Sequence, residues 1–160
     1  MKAEELERGL RERVDPNFRI PDNRGKPAPL FSPRKDPNGA RIALVSSGGF
    51  HLLTDPPFDT EDPMGDPTFR EIPRGTSIDQ LGIAHTHYDH RYVEADINCA
   101  LPLPHLEKLE ELGAIGEVAP RHLSFMGYCL KTRALAEETA PEAAQLFLGD
   151  GVDMAILAPT

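Results

Sequence analysis

The chain has 160 residues, of which 39% are hydrophobic and 27% charged, and its formal net charge at pH 7 is −9. That length suits one domain, and the acidic balance argues against nucleic acid or an anionic membrane surface as a partner. No apolar run approaches the ~20 residues that span a bilayer. The N-terminus has no apolar core of a secretion signal, and Cys99 and Cys129 form no CxxC pair, so we expect free thiols in a reducing cytoplasm.

Residues 1–40 are predicted to form an extended N-terminal arm. Leu6 and Leu10 fall on one side of a short amphipathic helix over residues 3–14. Six prolines follow between residues 15 and 38, a density that rules out a helix and interrupts strand ladders. This proline-rich segment is therefore expected to be extended and to lie on a surface.

Residues 41–160 carry the pattern of an α/β domain. A buried strand is predicted at residues 41–45, and it runs into the small residues Ser-Ser-Gly-Gly at positions 46–49. The backbone N–H groups of Gly48 and Gly49 could bind an anionic substrate there, although a tight turn is the commoner role of such glycines. Residues 51–77 contain five prolines and are predicted to be loop.

The later elements alternate between helix and strand. A helix is predicted at residues 101–112, a strand within 118–127, a helix from about residue 130 that Pro141 interrupts, and a buried parallel strand at 152–158. This order predicts a mostly parallel, Rossmann-like three-layer sheet. The sheet is expected to be incomplete, since no covering helix follows the last strand; a second polypeptide or a continuation of the chain would supply that layer.

The chemistry of the chain is concentrated in residues 81–98. An apolar run ending at Ala84 leads into the sequence His-Thr-His-Tyr-Asp-His at positions 85–90, and Asp96 and Asn98 follow. Short apolar strands that run into polar clusters present reactive groups at the carboxyl end of a parallel sheet. We therefore expect a functional site at this position.

One interpretation of the cluster is a metal site. Its spacing matches the HxHxDH pattern of metallo-β-lactamase-type hydrolases, which bind zinc through such residues. The ligands would be His85, His87, Asp89 and His90. Only two further histidines lie downstream, and the motif is not followed by the glycines usual in that family. A zinc-dependent hydrolase stays open as an alternative.

A longer pattern of residues runs through the second half of the chain. Its members are His85, Tyr88, Asp89, Ala95, Asp96, Asn98, Pro102, Leu106, Leu109, Glu110, Gly113, Ile115, Gly116, Phe125, Gly127, Gly151, Val152, Asp153, Pro159 and Thr160. In order and spacing these residues resemble the selenoprotein B subunit family of the glycine, sarcosine, betaine and D-proline reductases. The resemblance covers residues 41–160 and is stronger after Leu81. The classical reductases lack counterparts of His87 and His90, which leaves the substrate open.

The resemblance implies an oxidoreductase that cleaves a C–N bond of an amino-acid-derived substrate. In that family a selenocysteine or cysteine directly follows a threonine like Thr160, and its deprotonated form attacks the α-carbon. The reactive residue is thus expected at position 161, where a selenocysteine codon read as a stop would end the product, and the 160-residue chain alone is expected to be inactive. No cofactor is expected in this chain, while a partner subunit could carry an activating pyruvoyl group.

Within that mechanism, residues of the cluster receive roles. His85 is the candidate to protonate the leaving nitrogen or to hold the thiolate, with Asp89 or Asp96 orienting it. For Asp96 and Asn98, the capping of a turn is an alternative of equal weight. The residues assigned to substrate binding are His87, Tyr88, Asn98, Gly48 and Gly49.

The expected partners are a second copy of the chain or another reductase subunit, together with a small amino-acid-like substrate. A third interpretation is a non-catalytic binding or assembly module that keeps the scaffold without the reactive residue. It predicts a stable complex with a partner chain and no metal.

Overall fold

The computed structural model describes residues 3–13, 16–20, 22, 24–27 and 32–160. By its contacts the chain divides into two units, Met1–Ser32 and Pro33–Thr160. In the first unit, helix α1 spans Ala3–Arg13 and confirms the predicted short helix. The chain then folds back on α1, because Glu7 accepts a hydrogen bond from the N–H of Ile20 at 3.0 Å. Part of the predicted proline-rich extended segment lies outside the described residues.

The second unit is built on strands that are mostly parallel. In chain order the strands are β1 (Arg41–Ser46), β2 (Phe50–Leu52), β3 (Phe69–Pro73), β4 (Leu81–Ile83), β5 (Glu117–Val118), β6 (Arg121–Phe125) and β7 (Met154–Ala158). Ile42 of β1 pairs with both β5 and β7, and Val45 of β1 pairs with both β6 and β7. Strands β5 and β6 therefore lie end to end along one edge of β1, and β7 lies along the other edge. β3 adds an antiparallel strand to β6, whereas β2 and β4 form a separate antiparallel pair.

A buried histidine supplies the hydrogen bond to β1 that the backbone does not make between β5 and β6. Pro120 stands between these two strands and has no N–H for the ladder. Opposite, the N–H of Leu44 donates to Nδ1 of His122 at 3.0 Å. His122 is 1% exposed, and burial, together with the charge of Arg74, lowers its pKa to about 4. The ring therefore takes the place of a strand carbonyl and is held in the neutral form.

Helix α2 is short and spans Arg91–Ala95, and helix α3, which spans Leu103–Glu111, covers one face of the sheet. Leu103 and Leu106 of α3 join the main core cluster with Ile42 and Leu44 of β1 and Ile72 of β3. Pro104 stands in the first turn, where its missing N–H costs no helical hydrogen bond. The helix predicted at residues 101–112 is confirmed with slightly narrower bounds.

A second helical segment follows β6. It consists of the short helix α4 (Thr132–Ala134), a π-helical stretch (Leu135–Thr139) and helix α5 (Ala140–Gly149). The π-helical stretch ends just before Pro141, where the sequence predicts an interruption. None of the residues of this segment is buried in the structure as described.

The α/β class with a mostly parallel sheet is confirmed, while the Rossmann-like detail is not. β3 lies in residues 51–77, which were predicted to be loop; it ends at Pro73, a position that an edge strand tolerates. The strand predicted at residues 152–158 is parallel to β1, as expected. The prediction that this strand is buried is wrong, since Ile156 is 41% and Leu157 71% exposed. Among the described residues, no helix is long and apolar enough to cross a membrane.

The neutral His122 makes folding sensitive to acid. Because its folded pKa lies below the ordinary 6.5, the unfolded chain binds the proton first, so stability present above pH 6.5 is lost as the pH falls towards 4. A pKa shift of this size corresponds to a decrease of about 3 kcal/mol in the free energy of unfolding. His122→Asn keeps an acceptor for Leu44 and removes the titration. Urea unfolding at several pH values should show a flatter profile for this variant between pH 6.5 and 4, and parallel profiles would contradict the account.

Candidate active site at the carboxyl ends of the strands

Serine hydroxyls fix the turn by which the chain leaves β1. Ser46 is fully buried, and its Oγ donates to the carbonyl of Ala100 at 2.8 Å while it accepts from the N–H of Gly48 at 3.0 Å. Ser124, its neighbour on β6, accepts a hydrogen bond from the N–H of Phe50 at 2.8 Å. The turn is therefore held by side chains where the ladder ends.

The two glycines of the turn have packing roles. The N–H of Gly49 donates to the carbonyl of Phe125 at 3.1 Å, and that of Gly48 is bound by Ser46. A Cβ on Gly49 would lie 2.5 Å from the carbonyl oxygen of Ala84, and its φ of +70° also favours glycine. Since both N–H groups are already used within the chain, the geometry does not support the predicted binding of a substrate anion by Gly48 and Gly49.

His85 is placed beside this turn by strand β4. The N–H of Ala84 donates to the carbonyl of Gly49 at 2.9 Å, which ties the end of β4 to the turn. His85 itself is 6% exposed. Its Nδ1 accepts from the N–H of His87 at 3.1 Å, and its Nε2 faces the N–H of Tyr128 at 3.3 Å.

These two contacts keep the His85 ring neutral. A neutral imidazole accepts at one nitrogen only, and a doubly protonated ring would turn two N–H groups towards two N–H donors. Burial lowers the pKa of His85 below its ordinary 6.5, and the nearby rings of His87 and His90 lower it further by a smaller amount. The site therefore provides a buried neutral base.

Aromatic contacts hold the histidine-rich loop in place. The hydroxyl of Tyr88 donates to the carbonyl of Gly48 at 2.9 Å, and its ring packs edge-on against His85 with the centroids 4.8 Å apart. Burial, with a smaller effect of Cys99, raises the pKa of Tyr88 to about 12, so the phenol stays protonated. The ring of His87 stacks on that of Tyr128 at 3.6 Å and 8°.

Thr160 lies against the same turn. Its N–H donates to Oγ of Ser47 at 2.9 Å, and the Ser47 carbonyl accepts from the N–H of Gly127 at 2.9 Å. Gly127 precedes Tyr128, the residue whose N–H faces His85. Thr160 and His85 are thus brought to one rim, although His85 follows β4 of the separate antiparallel pair and not a strand of the parallel sheet.

Other predicted residues have local partners. Asp89 is exposed and forms an ion pair with Arg91 at 2.5 Å. Asp96 caps the turn Ile97–Cys99, accepting from both the N–H and the side-chain amide of Asn98 at 2.9 Å. In the described residues, neither carboxylate forms a hydrogen bond with His85. The predicted role of Asp89 or Asp96 in orienting His85 is therefore not supported by a contact. The Oδ1 of Asn98 and the Nε2 of His90 are buried without a hydrogen-bond partner in the described structure.

The ligands predicted for zinc do not converge. In the part of the chain that the structure describes, no group of three or more His, Cys, Asp or Glu side chains is placed to hold a metal ion. His87 stacks on Tyr128, and Asp89 pairs with Arg91. The two cysteines are free, as predicted; Cys99 is exposed and Cys129 half-buried.

Sequence reasoning missed Ser46, Ser47 and Tyr128. The hydroxyl of Ser47 meets a partner 113 residues away, and the N–H of Tyr128 meets one 43 residues away. Contacts at such separations leave no local pattern. The only available signal was the pair of serines between a buried strand and two glycines.

The fold and the site define an α/β protein with a buried neutral imidazole, a tyrosine and hydroxyl groups gathered where the strands end. Residues 17–160 match the family model of glycine/sarcosine/betaine reductase selenoprotein B. The chain belongs to this family, which confirms the resemblance found in the sequence.

A curated relative agrees with this assignment. The chain is similar to the D-proline reductase subunit gamma of Acetoanaerobium sticklandii, with 34% identity over 132 residues that cover 82% of this chain and 53% of the relative. The chain thus spans about half the length of that relative. No solved structure matches the chain.

The neutral state of His85 can be measured directly. In NMR titrations of the ring protons, the pKa of His85 should lie below 6.5, because burial and the two facing N–H donors oppose the added proton. The neutral ring is then present above that pKa and is lost as the pH falls through it. A midpoint above 6.5 would contradict the arrangement.

Proposed function

We propose that the chain is a subunit, or a part of a subunit, of a reductase that cleaves a C–N bond of an amino-acid-derived substrate. Family membership supports the reductase assignment. The observation that carries the proposal for this site is the hydrogen bond from Thr160 to Ser47, which holds Thr160 at the rim where His85 is buried.

The chemistry would come from groups bound next to these residues. A selenocysteine or cysteine directly after Thr160 would supply a chalcogenolate that displaces the amine from the α-carbon, with a pyruvoyl carbonyl of a partner subunit activating that amine. Thr160 fits this arrangement because Ser47, which binds it, also accepts a hydrogen bond from Gly127, the neighbour of the residue that faces His85.

His85 would act from its neutral form. It is proposed to take the proton of the nucleophile at the ring nitrogen that carries the lone pair, and to return that proton to the leaving nitrogen. Tyr88 and the stacked pair of His87 and Tyr128 shield one side of His85 from water. The N–H of Tyr128 and the ring of Tyr88 would orient His85 in place of a carboxylate.

The substrate would be a small amino acid or amino-acid derivative. The relative is named for D-proline, and the family for glycine, sarcosine and betaine, all of which carry nitrogen on the carbon next to a carboxylate. His87, Tyr88 and Asn98 are proposed to contact it; Asn98 keeps a buried oxygen free of a hydrogen bond among the described residues. The proposed partner is another reductase subunit, and the cytoplasmic location stays a prediction.

A non-catalytic assembly role is the second candidate. It is favoured by the exposed apolar side chains of β7, Ile156 and Leu157, and by the absence of a buried residue in the helical segment of residues 132–149. Surfaces of this kind suit a partner chain. The two candidates separate by turnover.

The reductase role can be tested by substitution at His85. The product of the gene, including whatever is encoded after Thr160, would be combined with its partner subunits, and the dithiol-dependent cleavage of D-proline, glycine, sarcosine and betaine measured. His85→Asn should lower kcat by about 100-fold or more, the range expected for a lost general base. The matched control His105→Asn changes an exposed histidine of α3 and should stay within about twofold.

Two results would contradict the proposed function. One is wild-type kcat in His85→Asn. The other is the absence of turnover of all four substrates by the wild-type complex; the assembly role would then be preferred if the chain still bound its partner.

A further inference from the structure

Ser47 holds the end of β7 beyond the last paired residues of the ladder. The ladder between β1 and β7 ends with the pair of Ser46 and Ala158, and the N–H of Ser47 still donates to the carbonyl of Ala158 at 3.1 Å. Pro159 has no N–H to offer. The N–H of Thr160 is therefore the first one after the ladder that can fix the chain, and it donates to Oγ of Ser47 at 2.9 Å.

The hydroxyl groups complete a closed ring of hydrogen bonds. Oγ of Ser47 and Oγ1 of Thr160 are 3.0 Å apart, and Oγ1 of Thr160 lies 3.3 Å from the carbonyl of Ser47, to which it donates. With the Thr160 hydroxyl donating to that carbonyl, the Ser47 hydroxyl is free to donate to Oγ1 of Thr160. Each donor then has one acceptor, so a single serine binds both the N–H and the hydroxyl of Thr160.

The same serine also contacts the segment that faces His85. The carbonyl of Ser47 accepts from the N–H of Gly127 at 2.9 Å, and a Cβ on Gly127 would lie 3.1 Å from Cβ of Ser47. The next residue is Tyr128, whose N–H meets Nε2 of His85 at 3.3 Å. A continuous path of contacts thus connects Thr160 with His85 through Ser47.

We propose that Ser47 is a positioning residue, which sets the direction in which the chain leaves β7 and its placement relative to His85. The inference rests on the proposed function, because the group to be positioned is the reactive residue after Thr160. Ser47 is half-buried and Thr160 exposed, so their hydrogen bonds add little to global stability. A defect of Ser47 variants should therefore appear in local order and in kcat, with the fold intact.

The first measurement needs no turnover. Amide hydrogen exchange would be followed by NMR in the 160-residue chain for wild type, Ser47→Ala, Thr160→Val and Thr160→Ser. Ser47→Ala should reduce the protection of the Thr160 amide about three- to tenfold, the effect of one lost hydrogen bond. Thr160→Val keeps the N–H that donates to Ser47, so the protection of this amide should fall less than in Ser47→Ala. In Thr160→Ser the protection should equal that of wild type. The amides of β1 and β7 and the urea midpoint should not change.

The second measurement uses the reductase complex with the complete gene product. Ser47→Ala should lower kcat about tenfold or more, the scale expected for a misplaced reacting group, with KM within about twofold. Thr160→Ser should retain wild-type kcat. A fall in both Thr160 protection and kcat supports the inference.

Unchanged protection of the Thr160 amide in Ser47→Ala overturns the inference whatever the enzyme does. Lost protection with unchanged kcat overturns it as well. A wild-type complex without turnover would instead refute the proposed function, and the exchange data would still decide whether Ser47 holds Thr160.

Discussion

The end of strand β1 carries the contacts on which the rest of the site depends. Ser46 is buried and joins this strand end to Ala100, while Ser47 binds Thr160 at the end of β7. A parallel strand that ends among buried groups leaves N–H and C=O groups in need of partners. Here hydroxyls and the turn after β1 supply them, and the same contacts bring the end of β7 and the loop of His85 together. The hydrogen bonds that satisfy the backbone N–H and C=O groups at the end of β1 therefore also hold the site together.

Burial has different consequences for His122 and His85, two of the buried histidines. His122 and His85 are both neutral because a charged imidazole is costly away from water, and both accept hydrogen bonds from backbone N–H groups. His122 completes the central ladder, where it contributes to folding. His85 lies at the rim beside the turn that holds Thr160, where a neutral base can serve a reaction. Desolvation is thus the common cause of the neutral state, while the location differs, since His122 lies within β6 and His85 follows the end of β4.

The sequence predicted the elements whose patterns are local. The apolar run of β1, the leucine spacing of α3 and the interruption before Pro141 all follow from periodicity and proline chemistry. β3 was missed because two adjacent charged residues, Arg70 and Glu71, interrupt its apolar pattern and because it ends at a proline. The roles predicted for Gly48 and Gly49 failed to find support, since N–H groups that look available in a sequence are used by distant partners in the fold. Residue type indicates what a group can do, and only the tertiary contacts show whether that group is already engaged.

Proton–proton distances show whether Ser47 brings Thr160 and His85 together at one rim. A NOESY spectrum of the chain would be recorded with these residues and Tyr128 assigned. Cross-peaks are expected between the Thr160 N–H and the β protons of Ser47, and between the Tyr128 N–H and the ring protons of His85. Absence of both sets of cross-peaks, with those of the ladder between β1 and β7 present, would contradict this arrangement.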